Sequence, residues 1–160
     1  MIKLVRVDDR LIHGQVQTSW IKEYQINRII IIDDNVANDN VTKMVLKVAK
    51  PAQCDLVICT CEKAIQLLPK DAAQSNARTL VIFKTIETAD IMLNKGMEIQ
   101  SMVVGPTANK DGTVQMAKNT YFTANEIEAA KDLNKKGVEV YFQLLPSEPK
   151  IYLSSVLEKM

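Results

Sequence analysis

The stretch Arg28-Ile29-Ile30-Ile31-Ile32-Asp33-Asp34 decides the fold. Its isoleucines run without polar alternation, so both faces of the strand predicted over 28–32 must be covered. Two-sided burial is the condition of an inner strand in a parallel sheet, where crossover helices lie on each face. The rest of the chain repeats that requirement. Ile2 to Val7, Asp55 to Cys59, Thr79 to Phe83 and Ile99 to Val104 read as further strands. Val138 to Leu144 alternates in part and reads as a last strand nearer an edge.

Helical segments fall between the strands. Gly14 to Tyr24 follows the first. Val41, Met44, Val45 and Val48 then recur at helical spacing until Pro51 stops that helix, and a short helix from Lys63 to Leu68 is ended by Pro69. Thr85 is placed to cap the next helix, with Gly96 just past its end. Gly105, Pro106 and residues 109–112 form a loop rich in turn residues. Thr123-Ala-Asn-Glu126 has the form of a capping box, Gly137 closes the helix it opens, and Ile151 to Leu157 reads as a C-terminal helix. This order implies an α/β fold, a single doubly wound, mostly parallel sheet with helices on both faces. No repeat, linker or low-complexity stretch divides 1–160, which is read as one domain.

Composition narrows the function classes. In 160 residues, 20 Lys plus Arg against 19 Asp plus Glu leave a formal charge of +1, without the basic excess on which nucleic-acid and membrane-surface binding rest. Apolar residues at 47% and charged residues at 24% exclude disorder. The longest aliphatic run, Ile29 to Ile32, is far short of the ~20 residues needed to cross a bilayer. Asp8 and Asp9 interrupt any secretory apolar region, so a soluble cytoplasmic domain is expected. Cys54, Cys59 and Cys61 are an odd set with no histidine near them, which speaks against disulfides and zinc. Cys54 and Cys59 read as small buried residues in a reducing compartment, and on a strand Cys59 and Cys61 would share one face.

In such sheets ligands bind at the carboxyl ends of the strands. His13, the only histidine, sits where the first strand hands over to the first helix, with Asp8, Asp9 and Arg10 before it and Gly14 after it. A helix starting near Gly14 would aim its free N–H groups and positive dipole end at this loop, which suits a phosphoryl group. The bland reading is a packed histidine beside a solvated turn. Asp33 and Asp34 at the end of the second strand could bind a cation or simply cap. No glycine-rich dinucleotide or P-loop motif occurs. Gly105-Pro106 reads as a turn bordering the same edge, and Trp20 reads as core.

The run Arg6-Val7-Asp8-Asp9-Arg10-Leu11-Ile12-His13-Gly14-Gln15-Val16, with Thr18 and Trp20, resembles the enzyme IIB components of the mannose/fructose/sorbose family. These belong to the bacterial phosphoenolpyruvate-dependent sugar phosphotransferase system. The resemblance continues through Arg28 to Asp34, the Ala49-Lys50-Pro51 helix end, Gly105 and Leu133 to Val140. Arg10 to Gln15 is its specific part.

The resemblance implies that His13 is phosphorylated, at Nδ1, by the phosphohistidine of an enzyme IIA partner. The phosphoryl group would then pass to a sugar entering through membrane IIC and IID subunits, with the protein cytoplasmic and peripheral to them. Arg10 would neutralise the transferring group with its planar fork. Amides around Leu11, Ile12 and Gly14 would complete a cradle, and either Asp8 or Asp9 would orient the imidazole or hold Arg10. No metal or other cofactor is called for, no nucleic acid is involved, and a homodimer is compatible with the reading. Where some members carry an arginine near the start of the second long helix, this chain has Thr42, so a second basic contact would come from Lys43 or elsewhere. At least one of Leu11 and Ile12 is expected to be partly exposed and to touch IIA; the alternative has both packed beneath the loop. The rival is a receiver-like module phosphorylated on aspartate. Asp8 and Asp9 fit it, but Cys59-Thr60-Cys61 stands where its acceptor aspartate should be.

Overall fold

Ile29 to Ile32 are wholly inaccessible to solvent, as their uninterrupted apolar run requires. The computed structural model describes residues 1–160, the side chains of Gln15 and Val16 excepted. Strand β2 (Arg28–Ile32) lies between β3 (Asp55–Cys59) and β4 (Thr79–Phe83), and β1 (Ile2–Val7) follows β4. Then come β5 (Ser101–Val104), β8 (Glu139–Phe142) and a two-residue edge strand, β9 (Ile151–Tyr152), giving the order β3-β2-β4-β1-β5-β8-β9. All pairs are parallel except β8–β9. Val57, Ile30, Val81 and Val5 stand in register across the middle of the sheet.

Two apolar layers cover the sheet. On one face α1 (Gly14–Glu23) and α3 (Asn40–Ala49) contribute Trp20, Ile21 and Leu46 to a cluster with Leu11, Ile12, Ile29 and Ile31. On the other, α4 (Cys61–Ala72), α5 (Ile86–Asn94), α6 (Ala124–Lys135) and α7 (Leu153–Glu158) pack around Ile30, Val81 and Phe83. After β1 the chain passes across β4 to β2, whereas after β4 it passes across β1 to β5. The neighbours β1 and β4 therefore send their connections in opposite directions. Their carboxyl ends form the topological switch point, the crevice where such sheets bind ligands.

Several expected boundaries move, each for a local reason. A four-residue helix, α2 (Asp34–Ala37), follows β2 because the Asp33 side chain accepts the Val36 N–H and caps it. The third long helix is capped by Thr60 and runs through Pro69 instead of ending there. Its last turn is held by buried Asp71, which accepts from Thr79 Oγ1 at 2.8 Å and pairs with Arg28 at 2.5 Å. Cys59 ends β3 and Cys61 opens α4, so they do not share a strand face. All three cysteines are free and buried, and burial raises their thiol pKa values, that of Cys59 to about 11.

A hairpin of β6 (Val114–Ala117) and β7 (Thr120–Phe122) follows the 105–112 loop, over residues for which no element was expected. Its strands are short, with Met116 and Phe122 turned into the core, and Asn119 makes the turn with φ +66°. The C-terminal segment pairs as β9 before its helix begins. The Thr85 cap and the Thr123–Glu126 capping box are both present. No helix is long and apolar enough to cross a membrane among the described residues.

Candidate active site

Strand β1 ends between two neighbours that fix its exit. The Asp8 N–H donates to the Phe83 carbonyl at 2.9 Å, and the Gly105 N–H donates to the Val7 carbonyl at 2.8 Å. The chain then turns tightly. Asp8 Oδ1 accepts the Arg10 N–H at 3.0 Å, and the Asp8 carbonyl accepts the Leu11 N–H at 3.1 Å. Such Asx turns are the local habit of aspartate. Leu11 follows with φ +61°, a left-handed conformation that costs a non-glycine residue about 1 kcal/mol. The turn persists because Leu11 and Ile12 are both buried in the cluster beneath it.

That burial corrects the expectation that one of these two side chains is exposed to a partner. The Leu11 N–H, engaged within the turn, is likewise not open for an anion. His13 is the extended N-cap of α1, and its ring stays partly exposed at the rim. Its side chain makes no capping bond, and the first turn of α1 holds no acidic residue. The positive end of the helix dipole is therefore not neutralised by its own first turn.

The buried Asp8 carboxylate is the hub of the site. Its Oδ2 lies 2.9 Å from His13 Nε2 and 3.0 Å from Arg6 Nη2. Arg10 reaches the other oxygen only at 3.9 Å through Nε, and its side chain is more than half exposed. Asp9 turns away: its Oδ2 accepts the Ala108 N–H at 3.3 Å, tying down the segment before the hairpin. Of the two aspartates left open by the sequence, it is Asp8 that meets the imidazole. Among the described residues the partner of Nε2 is a carboxylate, an arrangement that favours the tautomer with its proton on Nε2 and its lone pair on Nδ1.

Arg6 and Gly105 were not singled out as site residues from sequence. Arg6 is fully buried; burial lowers its pKa, and the adjacent Asp8 opposes that shift. Its guanidinium carbon lies 5.2 Å from the Trp20 ring centroid, a cation–π stack on a residue read as core. Trp20 is itself anchored through Nε1 to the Leu144 carbonyl at 3.0 Å. A Cβ at Gly105 would lie 2.5 Å from Arg6 Nη2 and 2.9 Å from Asp8 Oδ2, so only glycine fits. The available signals were an arginine facing inward from a strand and a glycine closing the neighbouring one.

The remaining candidates have structural duties. Asp33 caps α2, and Asp34 accepts the Cys61 N–H at 2.8 Å. Thr42 donates its hydroxyl to Asp39, and it sits in the first turn of α3. Among the described residues no group of three or more His, Cys, Asp or Glu side chains converges on a metal position.

The family model described as PTS system sorbose subfamily IIB component matches residues 2–160. The mannose-specific EIIAB component of the PTS system from Escherichia coli K12 is 33% identical over 162 residues, covering 100% of this chain and 49% of that protein. The chain thus spans about half the length of that relative. The sorbose-specific EIIB component from Klebsiella pneumoniae is 31% identical over 159 residues, covering 99% of this chain and 94% of that one. The crystal structure of the IIBSor domain of the Klebsiella pneumoniae sorbose permease superposes with a TM-score of 0.91 at 30% identity, covering 100% and 98% of the two chains.

Proposed function

This chain belongs to the sorbose subfamily of phosphotransferase-system IIB components, and from that membership we propose that His13 is its phosphoryl carrier. The observation that carries the reading is the 2.9 Å contact between His13 Nε2 and buried Asp8 Oδ2. It leaves Nδ1 as the free nucleophile at the rim of the switch-point crevice.

The reaction is an in-line displacement. The Nδ1 lone pair of His13 attacks phosphorus of the donor's phosphohistidine, the donor P–N bond breaks, and its electron pair returns to the donor ring. The positive charge that develops on the His13 ring is met by Asp8 through the Nε2 proton. Arg10 neutralises charge on the equatorial oxygens, and the amides of Ile12 and Gly14 with the start of α1 add donors there. Phosphoryl transfer of this kind needs chiefly positioning and charge stabilisation. In the second half-reaction a sugar hydroxyl oxygen attacks phosphorus and releases its proton to water, the P–Nδ1 bond breaks, and its electron pair returns to Nδ1. The donor is an enzyme IIA, the acceptor a sugar held by IIC and IID subunits, and the protein works in the cytoplasm against them.

Incubation with phosphoenolpyruvate, the general phosphotransfer proteins and cognate IIA is expected to label the wild type. The label should survive alkali and be lost in acid, as a phosphoramidate is, and His13→Ala should abolish it with the unfolding transition nearly unchanged. A label lost rapidly in alkali would identify an acyl phosphate and the receiver-like reading instead.

A further inference from the structure

Helix α3 is laid down with its apolar side outward. Val41, Met44, Val45 and Val48 are 72%, 67%, 61% and 87% exposed, while Leu46 is its buried residue. Their i, i+3, i+4, i+7 spacing makes one continuous stripe. The sheet-facing side instead half-buries Thr42, Lys43 and Lys50, and Lys50 Nζ bonds the Cys54 carbonyl at 2.9 Å. Ordinary amphipathic packing would place the helix the other way round, so the exposed stripe is a surface awaiting cover.

We infer that this stripe is the docking surface for the phosphohistidine-bearing donor, enzyme IIA; the inference rests on the phosphocarrier reading above. Position is the first reason. Leu46 of α3 shares an apolar cluster with Leu11 and Ile12, the two residues that carry the His13 turn, so stripe and turn lie on one face of the sheet. The helix starts at the same carboxyl edge: β2 ends at Ile32, and only the short α2 separates it from Asp39, the N-cap of α3. Leu11 and Ile12 are themselves buried and offer a protein donor no apolar contact. The stripe supplies what they do not.

Size is the second reason. Four aliphatic side chains present on the order of 400 Å², the scale of a functional patch on a monomer. A stable complex buries about 800 Å² per partner, so a second copy of this chain would be held too weakly by the stripe alone, whereas a donor that must leave after each transfer suits it. Charge argues against a lipid surface. A membrane-lying helix flanks its apolar side with several cations, and here Lys43 and Lys50 lie on the opposite side, leaving Lys47 exposed.

The test uses two phosphoryl donors on wild type and on the V45Q/V48Q double variant. Phosphorylated IIA needs a docking surface, and phosphoramidate does not. The variant is expected to show at least a tenfold higher half-saturation for IIA, with unchanged labelling by phosphoramidate and an unchanged unfolding transition. Half-saturation within twofold of wild type overturns the inference. So does a wild-type dimer that the substitutions dissociate in sedimentation, or wild-type binding to anionic vesicles that they abolish, because another occupant then covers the stripe. If neither donor labels the wild type, the phosphocarrier reading itself fails and the docking assignment falls with it.

Discussion

Arg6 and His13 do not touch, yet both meet the same oxygen: Asp8 Oδ2 lies 3.0 Å from the guanidinium and 2.9 Å from the imidazole. A fully buried cation behind the carboxylate fixes where Asp8 points. The ring at the surface is thereby oriented by a residue the solvent never reaches.

Asp8→Asn keeps the shape and removes the charge. It leaves Arg6 as an unpaired buried cation, so stability should fall by about 3 kcal/mol. Phosphoryl transfer should slow at least about 100-fold, because the same change in a triad aspartate leaves the wrong imidazole tautomer and costs about 10⁴-fold. The discriminating readout is the ¹⁵N spectrum of the His13 ring, which should change from one tautomer to a mixture; an unchanged tautomer would remove Asp8 from the orienting role.

Gly105→Ala tests the same chain of contacts from behind. The new methyl meets Arg6 Nη2 at 2.5 Å, and the guanidinium is boxed in by the Trp20 ring. Overpacking of this kind costs about 1–3 kcal/mol. Because the displaced group is the support of Asp8, transfer should slow and the His13 ring resonances should shift, although position 105 touches neither the ring nor a substrate. A stable variant with wild-type His13 resonances would contradict this.

Arg10 is exposed, so Arg10→Lys should leave unfolding unchanged. Lysine keeps the charge and loses the two-pronged grip on phosphoryl oxygens. Single-turnover transfer from IIA should slow about tenfold or more; transfer as fast as wild type would assign the charge stabilisation elsewhere.

Between α5 and α6, Asp90 lies against Asp132, placed so that its carboxyl can donate to Asp132 when protonated. Burial, that bond and the charge of Asp132 push Asp90 up to about 6. Asp132 is drawn down to about 2 by its bond to Asp90 and by bonds from Lys136 and Asn94. A carboxyl whose folded pKa is raised contributes stability while it is protonated and loses that contribution as pH rises from its unfolded pKa through 6. Asp90→Asn retains a donor for Asp132 at every pH. Its melting temperature should exceed that of wild type at pH 8 and converge with it near pH 5. A difference independent of pH would sink the shared-proton account.

The inner strands β2 and β4 were legible because both are buried on two sides, and β3, a half-buried edge strand, because its run from Leu56 to Cys59 is still apolar. The hairpin was not, since Val114 to Phe122 contains no apolar run long enough to stand out from turn residues. Helix α3 was recognisable as a helix, but spacing alone does not say which way a stripe faces, and here it faces outward. Within the site, His13, Asp8 and Arg10 were visible as polar residues at a strand end. Arg6 was not, because its role depends on an oxygen two residues on and on a ring in the next helix. Gly105 acts by what it lacks, and only a three-dimensional neighbour reveals that.

The central claim is that Asp8 holds the Nε2 proton of His13 so that Nδ1 receives the phosphoryl group. The direct measurement is the ¹⁵N and ³¹P spectrum of the ring-labelled protein before and after phosphorylation. The account predicts an Nε2–H tautomer in the free protein and a phosphorus–nitrogen coupling to Nδ1 in the phosphorylated one. Coupling to Nε2, or a phosphoryl group on any residue other than His13, would contradict it.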